Sequence, residues 1–143
     1  MTNPAIETRS VVVEREIPFP PEKIWRALTQ PHLIEEWLMK NDFEPAVGHR
    51  FNLRGDWGGV LDCEVLAVEP HKVLSYTWNF AHEDAAYNLN SVVTFTLTPT
   101  RTGTHLRMEQ AGFRPDQKQA FQGAGHGWQQ FLAKLEQVLA QNH

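Results

Sequence analysis

Residues 127–139, GWQQFLAKLEQVL, decide how the rest of the chain is read. Trp128, Phe131, Leu132, Leu135 and Leu139 fall at i, i+3, i+4, i+7 and i+11. That is the apolar stripe of an amphipathic helix, and Gln129, Gln130, Lys134 and Gln137 lie opposite it. A one-sided stripe of this length must be buried against a second layer.

The second layer is written upstream. Between Asp42 and Phe113 the apolar period changes to two, broken by turn residues. Phe51 and Leu53 alternate with Arg50 and Asn52, then Leu61, Cys63, Val65 and Ala67 form an inward row. Leu74, Tyr76, Trp78 and Phe80 follow, then Val93, Phe95 and Leu97, then Leu106, Met108 and Gln110. Gly55–Gly59, Glu69–Lys72 and Thr100–Gly103 read as the turns between them, and Ala81–Asn90 as a polar loop. Connections this short predict antiparallel hairpins, because parallel crossovers need a dozen or more residues. Nearer the amino terminus, Val11, Val13 and Ile17 predict one more strand, ended by Pro18, Pro20 and Pro21. Two short helices then start at Pro20-Pro21 and at Pro31, with Ile24, Ala27, Leu28, Leu33, Ile34 and Trp37 turned inward.

The order is therefore strand, two short helices, about six antiparallel strands and one long helix. The fold class is α+β, a curved antiparallel sheet wrapped around a long carboxy-terminal helix. Residues 1–10 read as a flexible lead-in and residues 11–143 as a single domain. Gly123-Ala124-Gly125-His126-Gly127 reads as an interruption, or kink, of the last helix. Glycines there leave space opposite an aromatic sheet face, which predicts a cavity at that place.

The totals narrow the function. The 13 basic and 17 acidic residues give a net charge of −4 with no Lys/Arg block, which argues against a nucleic-acid or anionic-membrane footprint. No segment approaches the roughly 18 apolar residues of a membrane span, and the first ten residues hold no signal-type apolar core, so no membrane insertion is expected. A single cysteine, Cys63, excludes an internal disulfide framework and suits a reducing compartment. The expectation is a cytoplasmic protein, monomeric or homodimeric.

A family resemblance follows from tags in order along the chain. These are Ile24-Trp25, Leu28-Thr29-Gln30-Pro31 and Trp37, then Pro45-Ala46-Val47-Gly48-His49-Arg50-Phe51. Val65 to Pro70 with Leu74-Ser75-Tyr76-Thr77-Trp78 comes next, followed by Gly103-Thr104-His105-Leu106, Gly112-Phe113 and Gly127-Trp128 with Leu132 and Leu135. From about Val11 onward the sequence resembles the SRPBCC or START-like superfamily, and within it the activator of heat-shock-protein-90 ATPase homologue group. The resemblance implies a helix-grip fold with a cavity between sheet and long helix. It does not imply one activity, since members include lipid carriers, hormone receptors, aromatic cyclases and chaperone activators. It also implies an additional amino-terminal domain in the eukaryotic activators; this chain reads as one domain, an expectation against chaperone activation.

The candidate ligand cavity is assigned to Trp37, Phe51, Trp57, Cys63, Tyr76, Trp78, Phe80, Val93, Phe95, Met108, Gln110, His126, Trp128 and Leu132. Aromatic and aliphatic walls with a few polar groups are what apolar ligand sites use, though the same residues serve equally as a plain core. Tyr76 and Gln110 are the inward polar groups able to orient a ligand. No catalytic residue is assigned: Cys63 sits between apolar neighbours without a base, and Asp62 and Glu64 alternate outward. The glycine run does not follow a strand in a βαβ unit, which excludes a dinucleotide loop. Histidines are scattered, and His82-Glu83-Asp84 lacks ligand spacing, so neither metal nor cofactor is expected. The leading expectation is binding of a small hydrophobic or amphipathic molecule, including a lipid, for transport, sensing or stress response. A cyclase- or dehydratase-type enzyme using the same cavity is the alternative, and chaperone ATPase activation stands third.

Overall fold

The computed structural model describes residues 8–56, 58–81 and 88–141. Strand β1 spans Arg9–Ile17 and is followed by helices α1, Pro21–Thr29, and α2, Pro31–Trp37. Six further strands follow: β2 Lys40–Asn41, β3 Arg50–Arg54, β4 Val60–Glu69, β5 Val73–Phe80, β6 Leu89–Pro99 and β7 Thr104–Phe113. Helix α3, Lys118–Gln141, closes the chain. All seven strands form one antiparallel sheet in the order β1-β7-β6-β5-β4-β3-β2. β1 crosses over to the β7 edge, so chain start and last strand lie side by side, with Ile17 opposite Thr104.

The alternation in each strand decides the packing. Val11, Val13, Phe51, Leu53, Leu61, Cys63, Tyr76, Trp78, Val93, Phe95, Leu106 and Met108 turn to the concave face and are buried. From α3 they meet Trp128, Leu132, Leu135, Val138 and Leu139, and with α1 and α2 these make one core cluster. Pro21 and Pro31 each stand at the first helical position, where the missing amide costs nothing. The two short helices are locked together inside the core: the Trp37 indole donates to the Ala27 carbonyl at 2.8 Å. This is the helix-grip fold. No helix among the described residues is long and apolar enough to cross a membrane.

Four details differ from the sequence reading. The first strand begins at Arg9, which pairs with Phe113, so residues 9 and 10 belong to the sheet rather than to a lead-in; residues 1–7 lie outside the described ones. The glycine run is not a kink, because α3 continues helical through Gly123–Gly127. Packing on either side of the run sustains the helix despite glycine's poor propensity. On β4 the inward row breaks after Val65, where the register with β5 shifts and leaves Leu66 42% exposed. Val68, opposite Leu74, then packs on the core in place of Ala67. On β7 a second irregularity falls at Gly112, skipped as Ser10 pairs with Ala111 and Arg9 with Phe113. Its φ of +124° and the approach of the Asn90 carbonyl, 2.5 Å from where a Cβ would stand, leave room only for glycine.

Candidate functional site

A hollow of about 200 Å³ lies between the amino-terminal half of α3 and strands β5–β7. The sheet contributes Trp78, Leu89, Gln110 and Phe113, and the helix contributes Ala120, Gly123, Ala124, Gly127, Trp128 and Phe131. Residues 120, 123/124, 127/128 and 131 share one face because they are spaced by three and four. Space exists because of what that face lacks: a Cβ added at Gly123 or Gly127 would meet nothing within 4 Å. The aromatic walls brace one another. Trp128 lies 5.2 Å from Trp78 and 5.5 Å from Phe131, centroid to centroid, and Phe113 is held edge-on by Phe121 at 5.6 Å.

One polar chain crosses this apolar site. The Trp128 Nε1–H donates to Gln110 Oε1 at 2.7 Å, Gln110 Nε2 donates to Ser91 Oγ at 3.0 Å, and Ser91 Oγ donates to the Trp78 carbonyl at 2.6 Å. An indole can only donate, so the amide orientation of Gln110 and the direction of every later bond follow. The chain ties α3 to three strands, and it lets Gln110 stay buried at 2% exposure without a desolvation penalty. Gln110 still holds one N–H and one oxygen lone pair beyond these bonds.

Of the residues assigned to a cavity from sequence, Trp78, Gln110 and Trp128 stand on its wall. Trp37, Tyr76, Val93, Phe95, Met108 and Leu132 are packed into the closed core instead. Tyr76 is wedged among Phe43, Phe51 and Phe95. Phe51 and Cys63 are buried in the same core toward β3 and β4, and Phe80 is half-buried against it. His126 is exposed on the side of α3 away from the hollow, because a continuous helix turns it outward where a kink would not. Trp57, and His82-Glu83-Asp84 in the polar loop, lie outside the described residues. Leu89, Phe113, Ala120, Ala124 and Phe131 were missed as wall residues. A heptad-like projection of α3 from Trp128 back to Ala120 was the signal that could have found the helix side.

Among the described residues none on the wall is charged. Burial, then Asp62 and Asp42, pushes the Cys63 thiol up to about 12, and burial holds the Tyr76 phenol well above its usual value, so both stay neutral. His105 is raised by hydrogen bonds to Glu16 and Glu14 on the open face of the sheet. None of these three lines the hollow. Among the described residues no group of three or more His, Cys, Asp or Glu is placed to hold a metal ion. Next to the hollow, and sharing Leu89 and Ala120 with it, is a more open space of about 600 Å³ edged by Pro115, Asp116, Gln117, Lys118 and Gln119. The described wall of the hollow is thus apolar with one amide and opens to solvent at Ala120 and Gly123, and the neighbouring space is mainly apolar with polar groups at its edge.

Residues 18–140 match the model of the family described as Activator of Hsp90 ATPase homolog 1-like protein. Among solved structures, the protein MLL2253 from Mesorhizobium loti is similar at 76% identity and a TM-score of 0.92, over 94% of this chain and 99% of that one. CalU16 from Micromonospora echinospora is 26% identical with a TM-score of 0.78, over 97% and 81%. DynU16, from the dynemicin biosynthetic locus, shares the fold at 24% identity and a TM-score of 0.80. The match takes in 92% of this chain, which spans about half (47%) of DynU16. No functionally curated protein matches the chain.

Proposed function

The chain belongs to the Activator of Hsp90 ATPase homolog 1-like family, and from that premise we propose that it binds a small hydrophobic or amphipathic molecule between the sheet and α3. The observation that carries this reading is the hollow of about 200 Å³ walled by Trp78, Phe113, Trp128 and Phe131 and opened by Gly123 and Gly127. Apolar surface around such a space releases poorly bonded water when a ligand enters, and the buried amide of Gln110 supplies a point of orientation. A polar portion of the ligand would lie outward, toward Gln117 and Lys118.

Binding is favoured over proton-transfer catalysis because the shifted groups, Cys63, Tyr76 and His105, stand away from the wall. The family's description names activation of a chaperone ATPase; an interaction module of that kind has no need of an internal space, which favours the ligand reading. The function is then carriage or sensing of the bound molecule.

The test is a titration with the uncharged two-ring fluorophore 6-propionyl-2-dimethylaminonaphthalene, read by probe emission and by quenching of the tryptophans. Saturable one-to-one binding is expected, abolished by Gly127→Leu, whose side chain fills the hollow. Equal binding by the plugged variant would place the probe elsewhere and sink the reading.

A further inference from the structure

Resting on that reading, we infer that the site takes a small planar aromatic molecule of one or two rings bearing one hydroxyl or carbonyl, with Gly123 and Gly127 setting the size limit. Size comes first. A dry apolar cavity of about 150 Å³ accepts benzene, and sites for drug-sized ligands begin at about 300 Å³. At about 200 Å³ the hollow fits between these.

Shape follows from the two walls. One side is aromatic, from Trp78, Phe113, Trp128 and Phe131. The other is nearly bare helix backbone, since Ala120, Gly123, Ala124 and Gly127 project a methyl or nothing. A flat ring stacks or meets edges on the first wall and lies close against the second. A long acyl chain outgrows the hollow and must leave past Leu89 and Ala120 into the wider, half-open space beside Pro115 and Gln119, where its methylenes stay partly in water and gain less than a ring held between two walls.

Polarity comes from Gln110. Its bonds to Trp128 and Ser91 fix its orientation and leave one N–H and one lone pair. A ligand hydroxyl or carbonyl can pair there, whereas a charged group would enter an apolar site with no counter-charge among the described residues of its wall.

The experiment is isothermal titration of 2-naphthol, naphthalene and dodecanoate against the wild-type chain, Gly123→Ala/Gly127→Ala, Gly127→Leu and Gly125→Ala. 2-Naphthol should bind one-to-one, about 2- to 10-fold tighter than naphthalene, as one added hydrogen bond allows. The double alanine variant should weaken it about tenfold or more, the usual effect of a methyl-sized change in a pocket. Gly125→Ala, off the wall, should leave it unchanged, and thermal melts of the variants should show no loss of stability. Dodecanoate binding tighter than 2-naphthol and blocked by Gly127→Leu would overturn the aromatic assignment while keeping a ligand cavity. Equal affinity in the double alanine variant would overturn the glycine size limit, and equal affinity for naphthalene would remove the role of Gln110. Binding of any probe that Gly127→Leu leaves intact, or no binding at all, would overturn the cavity reading itself.

Discussion

At single residues, two buried neutral acids and one glycine carry separate consequences. The folded Cys63 thiol titrates near 12 against an ordinary value of 9.0, and Tyr76 is raised above 10.0, in both cases by burial first. As pH rises past 9 the unfolded chain releases these protons and the folded one does not, so their contribution is complete below pH 9 and is lost as pH climbs toward 12. Denaturant midpoints should therefore fall between pH 9 and 11, with a shallower slope in Cys63→Ala and Tyr76→Phe than in the wild type. Cys63 should also resist iodoacetamide at pH 8 until the chain is unfolded, because a buried thiol is inert. Gly103 is constrained by close approach: a Cβ there would stand 2.1 Å from the Ile17 carbonyl and 2.8 Å from Phe19 N. Those are backbone atoms at the corner where Thr104 Oγ1 donates to the Phe19 carbonyl at 2.7 Å. Gly103→Ala should cost roughly 2–3 kcal/mol, measured by urea unfolding. Both Gly103 and Gly112 stand in the tags that mark the family, and here each has a steric reason.

At the scale of elements, the middle and second half of α3 are held by two different means. At its middle the Trp128–Gln110–Ser91 chain joins it to the sheet, and from the adjacent Gln129 on to Glu136 it is clamped by Arg15 of β1. Arg15 occupies an inner-face position between Val13 and Ile17, reaching Glu136 at 2.5 Å and the Gln129 side chain at 3.0 Å. A charge on the apolar face of a strand makes sense only once the helix above it supplies partners. The pair is a quarter to a third exposed, so its net worth is modest. Glu136→Gln should lower stability by about 0.5–1 kcal/mol at low salt and by less in high salt. The glycines of α3 predict the opposite sign. Gly125→Ala and Gly123→Ala/Gly127→Ala should each raise the unfolding free energy by roughly 0.5–1 kcal/mol per site, seen as a higher melting temperature, since helical propensity improves and nothing is displaced. Only the second should damage binding. That separation of stability from affinity is the outcome expected if the proposed site uses Gly123 and Gly127.

For the whole molecule, the sheet and helix form one core, so the ligand proposed to sit between them would bind the folded state alone. A true ligand at a hundred times its dissociation constant should therefore raise unfolding free energy by about 2.7 kcal/mol, visible as a concentration-dependent shift of the melting temperature. The amino-acid sequence by itself determined the elements and their order, because periods of two and 3.6 are local and survive without neighbours. It also gave the expectation of a space near the glycine run and brought Trp78, Gln110 and Trp128 into consideration. It could not set which inward residues meet the hollow. That depends on how far along each strand the helix crosses, and on the shifts at Leu66 and Gly112 that change the phase of two strands. Tyr76 shares the alternation of Trp78, yet Phe43, Phe51 and Phe95 close over it, whereas Trp78 packs on Trp128 and reaches the hollow beside Gly123 and Gly127. Only the tertiary structure decided that difference, since the depth of a buried site is a property of two packed surfaces and belongs to neither sequence segment alone.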